Sequence, residues 1–282
     1  MEVIEAVGEL RSRIKEFKRQ GKTIGFVPTM GFLHEGHISL MKKAREETDI
    51  VIVSIFVNPT QFGPNEDFES YPKDMVRDQR LTESVGVDFL FTPTVTEMYP
   101  DGYSTFVEVA GDLTRQLCGR TRPGHFRGVT TIVAKLFHMT TPDYAYFGKK
   151  DAQQVVVIEK MVRDLNMDIV IVPCSIVREE DGLAMSSRNS YLTEADRKKA
   201  QVLSQSLFET KAKIASGERD ITTIKQFIVS RIKQIEGALI DYVEIVHSKT
   251  LENMNQIKGN ILIALAVKFG KTRLIDNIDM VV

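Results

Sequence analysis

The fold is decided by residues 23–37, TIGFVPTMGFLHEGH. The apolar run 23–27 predicts a strand, and the spacing of apolar residues over 38–47 predicts a helix. Between them lies a turn that contains two glycines and the histidine pair His34 and His37. A strand that passes through a short turn into a helix is typical of an α/β sheet.

The same alternation of strand and helix continues to about residue 175. Further strands are predicted at 50–57, 88–91, 144–147 and 168–172, and helices at 74–85, 129–139 and 152–165. Repeated strand–helix–strand units predict a parallel sheet with helices on both faces. Ligands of such sheets bind beyond the carboxyl ends of the strands, which is where the histidine pair is expected.

A different pattern begins near residue 176. One long helix is predicted from Thr193 to about Ile214, and a second helix from Asp220, its expected N-cap, to Ile235. Three strand-like runs follow, at 240–246, 261–267 and 272–278. Helices followed by strands indicate a small α+β domain. The predicted domains are therefore 1–175 and 176–282.

Composition and charge exclude several classes of protein. The 282 residues include 37 basic and 38 acidic side chains, so the net charge of −1 gives no overall attraction to nucleic acid or to an anionic membrane. The longest apolar stretch, 50–57, is too short to span a bilayer, and the first residues do not resemble a signal peptide. Cys118 and Cys174 form no C-x-x-C pair, which favours a reducing, cytoplasmic location.

The histidine pair is suited to phosphate. His34 and His37 are three residues apart at the start of a helix, so both side chains can lie on one face. The helix N-terminus is expected to add free backbone N–H groups and a partial positive charge, and Gly31 and Gly36 permit close approach of a ligand. Two histidines at an ordinary surface turn remain an alternative. Zinc is disfavoured because the H-E-x-x-H spacing is absent.

Polar residues follow other predicted strands. Asn58 and Gln61 can hydrogen-bond a small polar substrate, although Asn58 and the proline after it also suit a simple turn. The loop 122–128, RPGHFRG, can contact an anion or be solvated. In the turn 147–151, FGKKD, Lys150 can point at phosphate.

The other residues with polar chemistry lie further along the chain. Asp151 can N-cap the helix that follows it, with Gln154 one turn later. The segment 178–188, REEDGLAMSSR, carries hydroxyls and guanidinium groups that can hold phosphates; a flexible interdomain loop is the alternative.

Seven phrases of the chain resemble the pantothenate synthetase family, or pantoate–β-alanine ligases, within the HIGH/KMSKS nucleotidyltransferase superfamily. The phrases are PTMGFLHEGH (28–37), FVNPTQF (56–62), YPKD (71–74), FTPTVTEMYPDG (91–102), RPGHFRGV (122–129), FGKKDAQQ (147–154) and MSSRN (185–189). Because they occur in order over nearly the whole chain, the resemblance is specific to the family.

The resemblance implies a ligase that condenses pantoate with β-alanine, using ATP and Mg2+. The implied route runs through pantoyl adenylate and releases AMP and pyrophosphate. The N-terminal domain is implied to be Rossmann-like, to bind ATP and pantoate, and to form a homodimer. The C-terminal α+β domain is implied to act as a lid.

The resemblance also implies roles for individual residues. The implied catalytic residues are His34, His37, Lys150 and Arg188. The implied ATP-binding residues are Met30, His37, Gly148, Lys150, Asp151, Val177, Met185, Ser186, Ser187 and Arg188. Pantoate is implied to bind Gln61 and Gln154, and no residue is assigned to Mg2+ or β-alanine.

Three other functions remain open at this point. A nucleotidyltransferase that adenylates a phosphate-bearing small molecule would share the H-x-G-H element without needing Gln61 and Gln154. A non-enzymatic sensor would bind ATP and leave it intact. An aminoacyl-tRNA synthetase is disfavoured, because the chain has no evident anticodon-binding domain and no surplus of basic residues.

Overall fold

The computed structural model describes residues 1–64 and 66–282. By their contacts the residues form two units. Unit 1 comprises Met1–Val109, Arg122–Lys149 and Val157–Ser175, and unit 2 comprises Ala110–Thr121, Lys150–Val156 and Ile176–Val282. The predicted domains, 1–175 and 176–282, stay a prediction. No helix of the described residues is long and apolar enough to cross a membrane.

Unit 1 contains a six-stranded sheet in which every strand pair is parallel. Its strands are β1 Glu2–Ile4, β2 Ile24–Thr29, β3 Ile50–Ile55, β4 Phe89–Phe91, β5 Tyr144–Gly148 and β6 Val170–Cys174, in the order β1-β4-β3-β2-β5-β6. Strands β3 and β4 follow β2 on one side of the sheet, whereas β5 and β6 lie on the other side of β2. The strand order therefore reverses between β2 and β5, the position where open α/β sheets bind ligands.

Helices cover both faces of this sheet, since neighbouring residues of β2 point to opposite sides. The first seven α-helices of the chain are α1 Val7–Arg19, α2 Glu35–Glu47, α3 Met75–Ser84, α4 Val95–Met98, α5 Cys118–Thr121, α6 His125–Thr140 and α7 Ala152–Asp164. On one side of β2, the ring of Phe26 lies 6.4 Å from that of Phe137 in α6. On the other, Val27 shares a buried cluster with Ile38 and Met41 of α2.

Unit 2 contains an antiparallel sheet of three strands in the order β7-β8-β9. Its main elements are α8 Glu194–Ala200, α9 Val202–Ala215, α10 Ile221–Lys233, β7 Ala238–His247, β8 Asn260–Phe269 and β9 Thr272–Val281. Alternate residues of β8, including Ile263 and Leu265, share a buried core with Leu207 of α9 and Ile228 of α10. A Rossmann-like parallel sheet and a smaller α+β unit confirm the predicted fold class.

Two predicted elements need correction. The long helix predicted from Thr193 to Ile214 is two helices, α8 and α9, which meet at Gln201. No glycine or proline marks this break, and the Gln201 side chain instead donates to Asp181 at 3.3 Å. The strand predicted to end before Pro173 continues through it to Cys174. Proline is tolerated there because β6 is an edge strand.

Candidate active site

The turn after β2 has an unusual backbone that glycine makes possible. Gly31 has φ of 81° and Phe32 has φ of 49°, both in the left-handed region. A Cβ added at Gly31 would lie 2.9 Å from Ile55 and 3.0 Å from a carboxylate oxygen of Asp78. Only glycine therefore fits at position 31, and the turn must pass close to Asp78.

Asp78, in α3, holds this turn by its backbone. Its two carboxylate oxygens accept hydrogen bonds from the N–H groups of Phe32 and Leu33, at 2.7 and 2.8 Å. The side chain is 1% exposed, and burial raises the pKa of its carboxyl although the two backbone N–H groups oppose the shift. Arg77 adds a second contact from α3, donating to the carbonyl of Leu33 at 2.8 Å. Sequence reasoning missed both residues.

The two histidines cap α2 reciprocally. Nδ1 of His34 accepts from the N–H of Gly36 at 3.2 Å, and Nδ1 of His37 accepts from the N–H of His34 at 3.3 Å. The N–H of His37 donates to the carbonyl of His34 at 2.8 Å. The expectation of free backbone N–H groups here is therefore wrong for His34, Gly36 and His37, because two of them donate to imidazole caps and the third donates to the His34 carbonyl.

The capping box fixes the tautomer of both imidazoles. A ring nitrogen that accepts from a backbone N–H carries no proton, so the neutral ring is protonated at Nε2. The ring centroids of His34 and His37 are 4.0 Å apart. In their neutral form the two neighbouring imidazoles therefore carry their proton at Nε2.

Gln61 lies beside this turn in unit 1, after β3. Its side-chain amide donates to the sulfur of Met30 at 3.1 Å and accepts from Nδ2 of Asn58 at 3.1 Å. Asn58 is 1% exposed and also bonds the carbonyl of Gly128 and the hydroxyl of Tyr99. The contacts of Asn58 favour the turn interpretation for that residue, and they orient Gln61.

The segment 122–128 supports Gln61 from its other side; it was predicted to be a loop, but α6 begins within it at His125. Nδ1 of His125 lies 2.9 Å from the backbone carbonyl of Gln61, which can only accept, so Nδ1 is the donor. Arg122 makes a two-pronged ion pair with Glu66, at 2.7 and 2.5 Å. Burial would raise the pKa of Glu66, but the Arg122 bonds and charge outweigh it and hold that pKa below its ordinary value. Arg122 thus has a carboxylate partner within the chain.

Gly128 explains how closely α6 approaches this segment. A Cβ at position 128 would lie 2.3 Å from the backbone carbonyl oxygen of Thr60 and 2.6 Å from Cα of Gln61. Side chains cannot be accommodated at that distance, so glycine is required. The position of Gln61 therefore depends on α6 as well as on the loop before it.

The turn after β5 carries Lys150 and Asp151. Gly148 ends β5, and residues Lys149–Asp151 form a 3-10 turn that leads into α7. Nζ of Lys150 lies 3.7 Å from the carboxylate of Asp151, and the Lys150 carbonyl accepts from the Asn277 side chain at 2.8 Å. The predicted pantoate residue Gln154 is the third residue of α7 and is partly exposed.

Residues 177–185 form a hairpin in unit 2. Met185 donates its N–H to the carbonyl of Val177 at 3.0 Å, and Arg178 forms an antiparallel bridge with Ala184. The hairpin turns at Gly182, whose φ is 86°. Val177 and Met185, both predicted to line the nucleotide, are therefore neighbours.

Ser186 begins the short 3-10 helix Ser187–Tyr191, its hydroxyl accepting from the N–H of Arg188 at 3.3 Å. Ser187 is 6% exposed and Arg188 is partly exposed. Ser186, Ser187 and Arg188 thus follow one another at the start of a helical turn, as phosphate-binding residues commonly do. Among the residues that the structure describes, no group of three or more His, Cys, Asp or Glu side chains is arranged to hold a metal ion.

Unit 1 therefore brings together Met30, Gln61 and the histidine pair at the reversal point of a parallel sheet. This arrangement defines an α/β protein whose histidine turn lies at the edge where such sheets bind ligands. A family model described as "Pantoate-beta-alanine ligase" matches residues 2–279. The chain belongs to the pantoate–β-alanine ligase family, and it is a ligase of that kind.

Proteins similar to this chain match it over nearly its full length. A pantothenate synthetase from Acetivibrio thermocellus is 59% identical over 278 residues, covering 99% of each chain. A crystal structure of pantothenate synthetase from Thermus thermophilus has a TM-score of 0.94 at 44% identity, covering 99% of both chains. The ligase from Francisella tularensis, "complexed with Beta-gamma ATP and Beta-alanine", has a TM-score of 0.80 at 38% identity, covering 99% of this chain and 97% of that one.

Proposed function

We propose that the chain makes pantothenate in two steps through a pantoyl adenylate. In the first step a carboxylate oxygen of pantoate bonds to the α-phosphorus of ATP, and the bond from that phosphorus to pyrophosphate breaks. In the second step the amine of β-alanine bonds to the acyl carbon, AMP leaves, and the amine proton is released to solvent. Neither step needs a covalent enzyme nucleophile.

The histidine turn is the observation that carries this proposal. Nδ1 of both His34 and His37 accepts from the backbone, so each ring offers Nε2–H as a donor. Two ring donors, on imidazoles whose centroids are 4.0 Å apart, suit oxygens on which negative charge grows as pyrophosphate departs. One such preorganised donor typically accounts for about 10²–10³-fold in rate.

The nucleotide is assigned to residues from several of the segments that carry the family resemblance. We assign the triphosphate to Lys150, Ser186, Ser187 and Arg188, with Lys150 and Arg188 supplying positive charge. Asp151 is assigned to the ribose, and the residues that line the nucleotide are Met30, Gly148, Val177 and Met185. The use of ATP is supported by the Francisella tularensis relative, whose structure is described as "complexed with Beta-gamma ATP and Beta-alanine".

Pantoate is assigned to Gln61 and Gln154, whose amides can donate to a carboxylate and can both donate to and accept from hydroxyls. Gln61 is suited to this role because Asn58, His125 and the close contact at Gly128 hold it in place. A substrate-binding amide gains specificity when its own orientation is fixed by such neighbours.

Mg2+ is proposed to bind with ATP. This ion usually keeps several waters and is held by substrate phosphates with one or two carboxylates, so it needs no dedicated cage of protein side chains. When bound, Mg2+ neutralises phosphate oxygens.

Two further parts of the proposal concern the cell and the assembly. The cytoplasmic location is supported by two cysteines that are both free thiols, one of them buried. A homodimer formed through the N-terminal domain is supported by the family resemblance. Sedimentation of the purified chain would show twice its 31.9 kDa mass if the dimer proposal is right.

The test is ATP–pyrophosphate exchange with Mg2+ and pantoate, in the absence of β-alanine. Exchange that requires pantoate is the expected result, since the adenylate forms reversibly before the amine enters. A folded protein that makes pantothenate when β-alanine is added, yet shows no exchange without it, would overturn the adenylate route.

A further inference from the structure

Strand β9 contacts both segments to which the triphosphate is assigned. Asp276 and Asn277 are neighbours in this strand and are 2% and 4% exposed. Successive residues of a strand point to opposite faces of the sheet. The two side chains can therefore hold two different segments of unit 2 from one position in β9.

Asn277 holds the backbone of the Lys150 turn. Its Nδ2 donates to the carbonyl of Lys150 at 2.8 Å. The contact joins residues 127 positions apart, and it acts on the backbone of the residue whose Nζ we assign to phosphate. The direction in which the Lys150 side chain leaves the turn depends on where that backbone is held.

Asp276 holds the hairpin that precedes Ser186. Its carboxylate forms a bidentate ion pair with Arg178, whose two Nη atoms donate to the carboxylate oxygens at 2.7 and 3.0 Å. Arg178 also donates to the carbonyl of Gly182 at 3.1 Å, so it links the turn of the hairpin to β9. The Arg178 and Asp276 side chains are 18% and 1% exposed, which shields the pair from solvent.

The two contacts are connected within β9 itself. The backbone N–H of Asn277 donates to a carboxylate oxygen of Asp276 at 2.8 Å. Movement of either residue therefore alters the other contact. A buried hydrogen-bonded network of this kind specifies one geometry, since leaving any member unpaired is costly.

We propose that Asp276 and Asn277 are positioning residues that keep the Lys150 turn and the Ser186–Arg188 segment in register for one triphosphate. This inference rests on the proposed function, because it takes the assignment of those residues to ATP as its starting point. Neither residue is proposed to touch the substrate.

The experiment compares Asn277→Asp and Asp276→Asn with the wild-type enzyme in pantoate-dependent ATP–pyrophosphate exchange. Asn277→Asp keeps the shape but replaces the donor with a carboxylate facing a carbonyl. Asp276→Asn keeps the shape but removes the charge that pairs with Arg178. A displacement of about 1 Å at a remote site can cost about 10²-fold in rate, so we expect the KM for ATP to rise at least about tenfold in each variant, with a smaller change in the KM for pantoate.

Leu274→Ala is the matched control. Leu274 lies in the same strand and is 4% exposed, but it belongs to the apolar core of unit 2. Its truncation is expected to lower the unfolding midpoint at least as much as the two test substitutions, while the KM for ATP stays near the wild-type value. An equal rise of that KM in Leu274→Ala would overturn the inference, because loss of stability would then explain the result.

Hydrogen exchange gives a readout that does not depend on turnover. Asn277→Asp is expected to speed amide exchange in residues 149–153, and Asp276→Asn in residues 177–186, beyond any change in Leu274→Ala. Unchanged amide hydrogen exchange in both segments, or a wild-type KM for ATP in both variants, would overturn the positioning role. If the wild-type enzyme shows no pantoate-dependent exchange while the local amide effects are present, the proposed function fails and the structural part of this inference stands.

Discussion

The H-x-G-H turn and the Ser186–Arg188 segment are held in place in different ways. The turn is fixed largely by its own residues, through the reciprocal cap between His34 and His37. The second segment depends on Arg178, whose partner Asp276 is 98 residues away in β9. The residues of both elements can be recognised as motifs in the sequence, whereas the distant strand that anchors the second element cannot.

Both elements nevertheless rest on a buried aspartate. Asp78 accepts from two backbone N–H groups, whereas Asp276 is paired with a guanidinium and one N–H. Burial raises the pKa of both carboxyls, and their hydrogen-bond partners oppose it. The comparison predicts that loss of Asp276 is the more damaging, since it leaves a charged partner unpaired.

The largest expected effect is on stability, in Asp276→Ala. Removing one partner of a buried ion pair costs about 3–5 kcal/mol, and the free energy of unfolding of unit 2 should fall by that amount in chemical denaturation. The double variant Arg178→Met/Asp276→Leu should recover most of the loss, because no buried charge is then left. A loss below about 1 kcal/mol in Asp276→Ala would show that the pair does not hold the hairpin.

His34→Asn separates the two roles of that histidine and should mainly affect catalysis. Asparagine is a good N-cap, so α2 should keep its stability, but it cannot supply the Nε2–H donor. Pantoate-dependent exchange should fall about 10²–10³-fold while the unfolding midpoint is nearly unchanged.

His34→Ala is the comparison variant for that measurement. It should show a similar loss of exchange and, in addition, about 1 kcal/mol less stability, because the cap is gone. If the His34→Asn enzyme catalyses pantoate-dependent ATP–pyrophosphate exchange at the wild-type rate, the imidazole donor has no part in adenylation.

Asp78→Asn should have an intermediate effect on the histidine turn. The amide keeps one acceptor for the two N–H groups of Phe32 and Leu33, so one buried donor is left unpaired at a cost of about 1–3 kcal/mol. Asp74→Asn is the control, because Asp74 caps the same helix at Arg77 and asparagine caps equally well. Equal unfolding free energies for the two variants would contradict the role of Asp78 in the turn.

The smallest expected effect is the pH-dependent one, in Glu66→Gln. Arg122 lowers the pKa of Glu66 in the folded protein despite burial. The ion pair between Glu66 and Arg122 therefore stabilises the folded protein fully above the ordinary glutamate pKa. This stabilisation is lost as the pH falls through the lower pKa that Glu66 has in the folded state. Chemical denaturation should give Glu66→Gln a free energy of unfolding about 1 kcal/mol below that of the wild type at pH 7. This difference should shrink below about pH 4. A difference that stays constant with pH would mean that charge is not its source.

The sequence predicted those parts of the molecule that local pattern determines. The parallel sheet followed from apolar runs separated by helices, and the ligand edge followed from the turn after residues 23–27. The short strand β1 and helix α1 were not predicted. Asp78 and Asp276 carried no local signal, because each contacts its partner only once the chain has folded.

The sequence also predicted the wrong chemistry for one element of the site. Backbone N–H groups at a helix start are ordinarily unpaired, which is why they were expected to face phosphate. Here the imidazole Nδ1 atoms cap them. Nothing in H-x-G-H as a pattern distinguishes a histidine that caps a helix from one that does not, since the difference lies in the side-chain rotamer.

In the H-x-G-H turn, the imidazole Nε2–H groups of His34 and His37 are proposed to contact phosphate, whereas the backbone N–H groups are hydrogen-bonded within the helix cap. Nitrogen-15 NMR of the histidine side chains, with and without ATP and Mg2+, tests this proposal most directly. We expect the neutral rings of His34 and His37 to be protonated at Nε2, and ATP to shift these Nε2–H signals more than the backbone amide signals of Gly36 and His37. Protonation at Nδ1 in the neutral rings would contradict it.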